Sequence, residues 1–231
     1  MTRAAKLGIF GGTFNPIHVG HLRAAEEVRE QLGLVQMIFV PAATPPHKDD
    51  TAADPIAPAE LRLAWVRAAI AGNPALAVDD MELRRGGLSF TVDTVRAIQA
   101  RTAPELPVFA IGCDAFAELD TWRDPDALLR EAHLAVMTRP PDRRTLADWM
   151  PRCARDVVEL APDGLSARHR SGRSWLRRVE VTALDVSSSQ IRSLLRAGRS
   201  VRYVVPETVR EAIEQSGVYA AGPPDKLGLS G

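Results

Sequence analysis

Apolar positions along this chain follow two alternating rhythms. Short, nearly continuous apolar runs at Lys6 to Phe10, Gln36 to Pro41, Leu106 to Gly112 and His133 to Met137 predict strands buried on both faces, with a weaker strand pattern at Leu76 to Met81. Between them, apolar residues recur at helical spacing over Leu22 to Leu32, Pro58 to Ile70 and Val92 to Ala100. Pro58 suits a first helical turn, Gly72 a stop and Thr91 a cap. Short helices are expected at Ala115 to Leu119 and Pro125 to Glu131. Strands and helices in this alternation predict an α/β, Rossmann-like doubly wound sheet, mostly parallel, with helices on both faces.

Beyond Arg143 the rhythm weakens. Leu146 to Ala154 reads as a helix and Val157 to Leu160 as a short strand. Ser166 to Arg178, with Arg168-His169-Arg170 and Arg173 to Arg178, reads as a solvated basic loop, a dedicated binding patch being the alternative. Strand character resumes over Val179 to Leu184, and helices are expected over Gln190 to Ala197 and Pro206 to Ile213. One domain should therefore span 1–219, with a helical C-terminal portion from about 187, and 220–231 is expected to be a flexible tail.

Charge narrows the function classes. Lys plus Arg number 29 and Asp plus Glu 29, so the global balance gives no argument for nucleic acid, and any attraction for phosphate must be local. The two cysteines, Cys113 and Cys153, form no CxxC pair, which favours a reducing compartment. No apolar stretch approaches the length of a membrane span. A cytoplasmic protein that engages no membrane is expected.

Candidate chemistry gathers near the amino end. The first apolar run breaks at Gly11-Gly12-Thr13-Phe14-Asn15-Pro16, and His18-Val19-Gly20-His21 leads into the first helix. Adjacent glycines admit a bulky anion close to main chain, and a helix start offers unpaired N–H groups and the positive end of a dipole. Histidines three apart at that start project on roughly one face and can donate to a polyphosphate whose charge shifts during reaction. The plain alternative is a tight turn whose histidines cap or pack. Strand ends at one edge of a parallel sheet should bring this loop to Pro46 to Lys48, to Gly112 to Asp114 and to Ser187 to Arg192. The Ser187, Ser188 and Ser189 hydroxyls can cap a helix or donate to phosphate, and Arg192 can supply a charged fork. His47, His133 and His169 are scattered, so no protein metal site is expected.

Gly11 to His21 resembles the signature of the HxGH nucleotidyltransferase superfamily, and Ser187-Ser188-Ser189-Gln190-Ile191-Arg192 resembles its ISSTxxR element. Pro45 to Lys48, Ser89-Phe90-Thr91, Gly112-Cys113-Asp114 with Trp122, and Arg139-Pro140 are similar to the bacterial nicotinate-mononucleotide branch. The resemblance runs from about Lys6 to Tyr219. It implies transfer of AMP from ATP to nicotinate mononucleotide, giving deamido-NAD and pyrophosphate, by direct attack on the α-phosphorus.

Under the resemblance, His18, His21, Lys48 and Arg192 are catalytic. Gly11, Gly12, Thr13, Phe14, Gly112, Asp114 and the three serines bind ATP and its phosphates, and Ser89, Phe90, Thr91, Trp122 and Arg139 bind the acceptor. Magnesium arrives on ATP phosphates and water. A homo-oligomer stays open. Asn15 stands where the family commonly has Asp, and Phe90 where Tyr is frequent. The alternatives are another phosphorylated acceptor, such as nicotinamide mononucleotide or phosphopantetheine, and a non-catalytic dinucleotide-binding domain. The first turn lacks the GxGxxG that the latter would need.

Overall fold

The computed structural model describes residues 6–45 and 55–219. Eight strands form one sheet: β1 (Leu7–Gly12), β2 (Gln36–Pro41), β3 (Leu76–Val78), β4 (Val108–Gly112), β5 (His133–Thr138), β6 (Val158–Leu160), β7 (Ser166–His169) and β8 (Trp175–Glu180). Their order is β3-β2-β1-β4-β5-β8-β7-β6. The first six in that order are parallel, and β7 and β6 are antiparallel additions at one edge.

The near-continuous apolar strands exist because the sheet is covered on both faces, and successive side chains enter opposite cores. Phe10, Met37, Phe39, Val108 and Ala135 pack on one face with helices α1 (Val19–Leu32) and α2 (Ala59–Ile70). Ile9, Ile38, Phe109, Ile111 and Leu134 pack on the other with α4 (Thr91–Thr102), which follows the short α3 (Met81–Arg85). The second face also receives α5 (Cys113–Ala117), α6 (Pro125–Glu131), α7 (Leu146–Trp149) and α8 (Arg152–Arg155), whereas α9 (Ser188–Arg196) and α10 (Glu207–Ser216) join the first. Each fully buried Leu, Ile or Phe contributes roughly 1.5–3 kcal/mol, against about 0–1 kcal/mol for an exposed ion pair. The two apolar faces therefore hold the strand-end loops in place.

All the parallel strands end at one edge, at Gly12, Pro41, Val78, Gly112, Thr138 and Glu180. Chain order reverses between β1 and β4, and the crevice beyond such a switch point is where open α/β sheets take ligands.

Four expectations need correction. Ser166 to Arg178 is not a solvated loop: it supplies β7 and most of β8, an antiparallel hairpin whose second strand lies parallel to β5. Ala167, His169 and Leu176 point inward while Arg168 and Arg177 face solvent, so the abundant arginines hid a period of two. Trp175 anchors the hairpin, its ring stacked on His133 at 4.4 Å and its main-chain N–H donating to His133 Nδ1 at 3.2 Å. The strand expected over Val179 to Leu184 accordingly ends at Glu180.

The helix expected over Leu146 to Ala154 is split into α7 and α8 at Pro151, which cannot donate a helical hydrogen bond. The strand expected over Leu76 to Met81 stops at Val78, because the Asp79 carboxylate accepts the Met81 N–H at 3.0 Å and starts α3.

Candidate active site

The loop after β1 turns back beneath its own aromatic residue. Phe14 has φ +49° and is 2% exposed, with its ring against Phe10, Phe39 and His21. That buried packing holds a left-handed backbone that costs about 1–3 kcal/mol elsewhere. A Cβ on Gly12 would meet this ring at 3.0 Å, so Gly12 makes room for Phe14 as well as for a ligand. Phe14 thus supports the site from behind rather than lining it.

His18 is the N-cap of α1, in extended conformation, and the two imidazoles are stacked with centroids 3.7 Å apart. His21 Nδ1 accepts the His18 main-chain N–H at 3.3 Å, which assigns the His21 ring proton to Nε2. The Phe10 and Phe14 rings meet His21 edge to face, at 6.3 and 5.3 Å. Burial, with the positive charge of Arg139 second, lowers the His18 pKa from 6.5 to about 4. His18 is therefore a neutral imidazole near pH 7. Gly20 is needed between the histidines: a Cβ there would lie 3.0 Å from Val186 and 3.1 Å from the His18 ring.

The carboxyl-side motif docks on this loop. Ser188 Oγ donates to Pro16 O at 2.9 Å, and Arg192, 6% exposed, donates from Nη1 to Asn15 O at 2.8 Å and from Nη2 to Ser189 Oγ at 3.1 Å. Val19 N–H donates to Val204 O at 3.1 Å. The Ser187 hydroxyl accepts from Gln190 N–H at 3.2 Å and caps α9. Residues 15–21 and 187–192 are separated by most of the chain and form one unit.

Beside it lies a cavity of about 210 Å³. That is below the roughly 300–1,000 Å³ of pockets that enclose a whole drug-sized ligand, so it suits one portion of a nucleotide. Gly11, Gly12 and Thr13 form its floor, with Ser89, Phe90 and Thr91 on one side and Trp122 on another. Trp122 is set edge to face on Phe109 at 6.2 Å, and the Arg123 guanidinium lies over the Phe90 ring at 4.6 Å. Gly112 and Asp114 stand at the start of α5 on the same sheet edge, Asp114 exposed and the space before Gly112 open. Arg139 follows β5 and does not line the cavity; its charge acts on His18 instead. Lys48, with Pro46 and His47, lies outside the described residues.

Reading the sequence missed the polar frame beneath the cavity. Arg62 is 1% exposed and donates to Ala57 O at 2.8 Å, Thr13 O at 2.7 Å and Ala43 O at 3.0 Å. Asn15 donates to Pro55 O at 3.1 Å and accepts from Ala57 N–H at 2.9 Å and from the Tyr219 hydroxyl. An aspartate could not make the first of these bonds. Glu82, 6% exposed, faces the cavity and was also missed. A charged residue at helical spacing on an amphipathic segment gives no sign that it will be buried; Arg62 and Glu82 were unreadable for that reason. Among the described residues no three His, Cys, Asp or Glu side chains gather around one point that could hold a metal ion, and no helix is long and apolar enough to cross a membrane.

The buried imidazoles make the fold acid-sensitive. Burial, with Lys6 and Arg173 contributing, also lowers the His133 pKa to about 4. Because both folded-state values lie below the unfolded value, this stability is fully present above about pH 6.5 and is lost as pH falls towards 4. The expected loss is roughly 3 kcal/mol per histidine across that window. Urea unfolding at pH 7.5, 5.5 and 4.5 measures it, and His133→Gln should flatten the dependence by about half. A midpoint that does not move between pH 7.5 and 4.5 would contradict the buried neutral imidazoles.

Residues 9–194 match the family described as cytidylyltransferase-like. A protein of Geobacter sulfurreducens named "Probable nicotinate-nucleotide adenylyltransferase" is 44% identical over 218 residues, covering 93% of this chain and 98% of its own length. A protein of the same name from Trichlorobacter lovleyi is 46% identical over 219 residues, covering 93% and 99%. The structure of Plasmodium falciparum nicotinic acid mononucleotide adenylyltransferase complexed with NaAD is similar with a TM-score of 0.68, at 13% identity over 93% of this chain and 97% of that one. At that identity the likeness is one of fold.

Proposed function

This chain belongs to the cytidylyltransferase-like family, among the nicotinate-nucleotide adenylyltransferases, and from that premise we propose that it transfers AMP from ATP to nicotinate mononucleotide, giving deamido-NAD and pyrophosphate. The observation that carries the reading is the docking of Ser188 and Arg192 on the Asn15–Pro16 carbonyls, which places both phosphate-type motifs at one end of the sheet.

The acceptor's phosphate oxygen attacks the α-phosphorus of ATP in line. One P–O bond forms while the bond to the pyrophosphate oxygen breaks. The attacking phosphate is already ionised, so no side chain has to remove a proton, and catalysis rests on alignment and charge matching. His21 donates from Nε2 to a phosphate oxygen and strengthens that bond as charge builds on the five-coordinate phosphorus, with His18 beside it as a neutral donor.

Gly11, Gly12 and Thr13 line the phosphates, and the α9 start with Ser187, Ser188 and Ser189 closes the other side. Arg192 holds the loop and lends charge to the outgoing pyrophosphate together with Lys48, while Arg139 adds positive charge on the His18 side. Asp114 accepts from ribose hydroxyls. Trp122 stacks on the pyridine ring against Phe90, and Ser89, Thr91 and the first amides of α4 receive its carboxylate. Magnesium would arrive with ATP, held by its phosphate oxygens, and would supply charge neutralisation for the departing pyrophosphate beside Arg192 and Lys48. We place the reaction in the cytoplasm, in line with two free cysteines.

Donor-rich helix-start amides suit a carboxylate, whereas an amide substituent brings its own N–H groups and needs an acceptor. In a pyrophosphate-release assay, kcat/KM for nicotinate mononucleotide should exceed that for nicotinamide mononucleotide by at least about tenfold. Parity, or preference for the amide, would overturn the acceptor assignment.

A further inference from the structure

Arg123 lines the cavity, and the adenylyl-transfer reading gives it no role. Among the described residues of that lining it carries the one positive charge, and Glu82 the one negative. Glu82 is 6% exposed, its carboxylate accepts from the Thr94 hydroxyl, and burial raises its pKa. It therefore opposes an anionic guest less than an exposed glutamate would. Arg123 is placed differently. Its guanidinium lies over the Phe90 ring, 4.6 Å from the centroid, and one nitrogen is 4.0 Å from the Asp93 carboxylate in the first turn of α4. The side chain is 59% exposed, so the ring face aims the charge without burying it.

The segment that carries Arg123 is itself fixed against α4. The next residue, Asp124, has φ +49° and caps α6 by accepting the Ala127 N–H at 3.3 Å. Arg96, one turn beyond Asp93 on α4, donates to Asp124 at 3.1 Å and to Glu131 at 2.9 Å. Trp122, one residue before Arg123, sits edge to face on Phe109. Trp122 and Arg123 are thus held beside Phe90, which caps α4 with no side-chain bond to its first amides. A guanidinium over that cap residue adds charge to the amides assigned above to the acceptor's carboxylate.

Nicotinate and nicotinamide mononucleotides share a phosphate and a positively charged pyridinium ring, and differ only in the ring substituent. Arg123 repels the ring charge equally in both, so its effect on the choice between them falls on the substituent. Only the acid has a negative group there.

We propose that Arg123 is a specificity-determining residue: from its seat on Phe90 it supplies the positive charge that favours an acceptor carrying a ring carboxylate over one carrying an amide. This rests on the acceptor assignment above and names a side chain that enforces it.

The test measures kcat/KM for both mononucleotides at saturating ATP in wild type, Arg123→Gln and Arg123→Lys, with calorimetric Kd values for the same pairs. Arg123→Gln should lower kcat/KM for nicotinate mononucleotide about five- to tenfold, the size of one partly exposed charge-assisted contact, and leave nicotinamide mononucleotide within about twofold. KM for ATP should stay within about twofold. Arg123→Lys keeps the charge without the planar stack and should recover part of the loss. Raising the ionic strength from about 0.05 to about 0.5 M should shrink the wild-type preference and leave that of Arg123→Gln nearly unchanged. Equal losses with both acceptors are what a merely structural role gives and would overturn the proposal, as would an Arg123→Gln enzyme that keeps the full wild-type preference. The Kd values decide the same question for a variant too slow to assay. A wild type with no preference for the acid defeats the acceptor assignment and the Arg123 role together. A wild type that prefers the acid beside an unchanged variant defeats the Arg123 role alone.

Discussion

Replacing His21 by alanine will lower kcat by about 10²- to 10³-fold while KM for ATP stays within about threefold, the pattern expected when a donor works mainly in the transition state. The geometry behind this is specific. His21 Nδ1 is occupied by the His18 N–H, so its single ring proton sits on Nε2, and the stacked His18 ring and the edges of Phe10 and Phe14 fix the plane in which it points. A preorganised donor costs no reorientation when charge appears on the transferring group. His21→Asn should recover part of the loss, because an amide at that position still offers N–H. His18→Ala has a second consequence, since it empties a buried site and removes the stacking partner. Its effect on kcat should come with lost stability. An ATP KM that rises as much as kcat falls for His21→Ala would mean that this imidazole binds the ground state, and the transition-state role would be wrong.

Arg62→Ala will destabilise the protein by about 3–5 kcal/mol, the range for removing one partner from a buried, fully bonded charged group. Three main-chain oxygens from three separate segments lose their donor at once: Thr13 after β1, Ala43 after β2 and Ala57 before α2. Water cannot replace the guanidinium without opening the frame, because the side chain is 1% exposed. For a chain of this size the thermal midpoint should fall by roughly 10 °C. Arg62→Lys should recover little, since an ammonium group lacks the planar fork that spans the three carbonyls. The loops tied by Arg62 carry residues of both the phosphate floor and the acceptor wall. Its loss should therefore depress turnover with both substrates. Urea unfolding with a loss below about 1 kcal/mol would show that the three carbonyls find other partners.

How legible the protein was in its sequence depends on which physical signal each part carries. The central strands were plain because burial on both faces leaves no polar positions to dilute the apolar run, as in Ile38-Phe39-Val40. The imidazole pair was plain because its glycines and spacing are local: Gly20 is demanded by atoms of His18, two residues away, and by Val186. The basic hairpin was not, since Arg168, Arg177 and the neighbouring arginines alternate with its buried positions, giving a composition that reads as loop. Phe14 illustrates a subtler miss. Its place in the motif points to a ligand, but its ring turned inward to support His21.

The sequence by itself determined the alternation of strands and helices, the amino-terminal histidine turn and the serine-arginine helix start, because each of these is set by neighbours within a few residues. Only the tertiary structure decided that Arg192 reaches the Asn15 carbonyl, that Arg62 joins the Thr13, Ala43 and Ala57 carbonyls, and that Glu82 is buried on the cavity wall. A charged side chain carries no local mark of whether it will meet water or a distant carbonyl. Its partner comes into reach only once the sheet has brought the strand ends together.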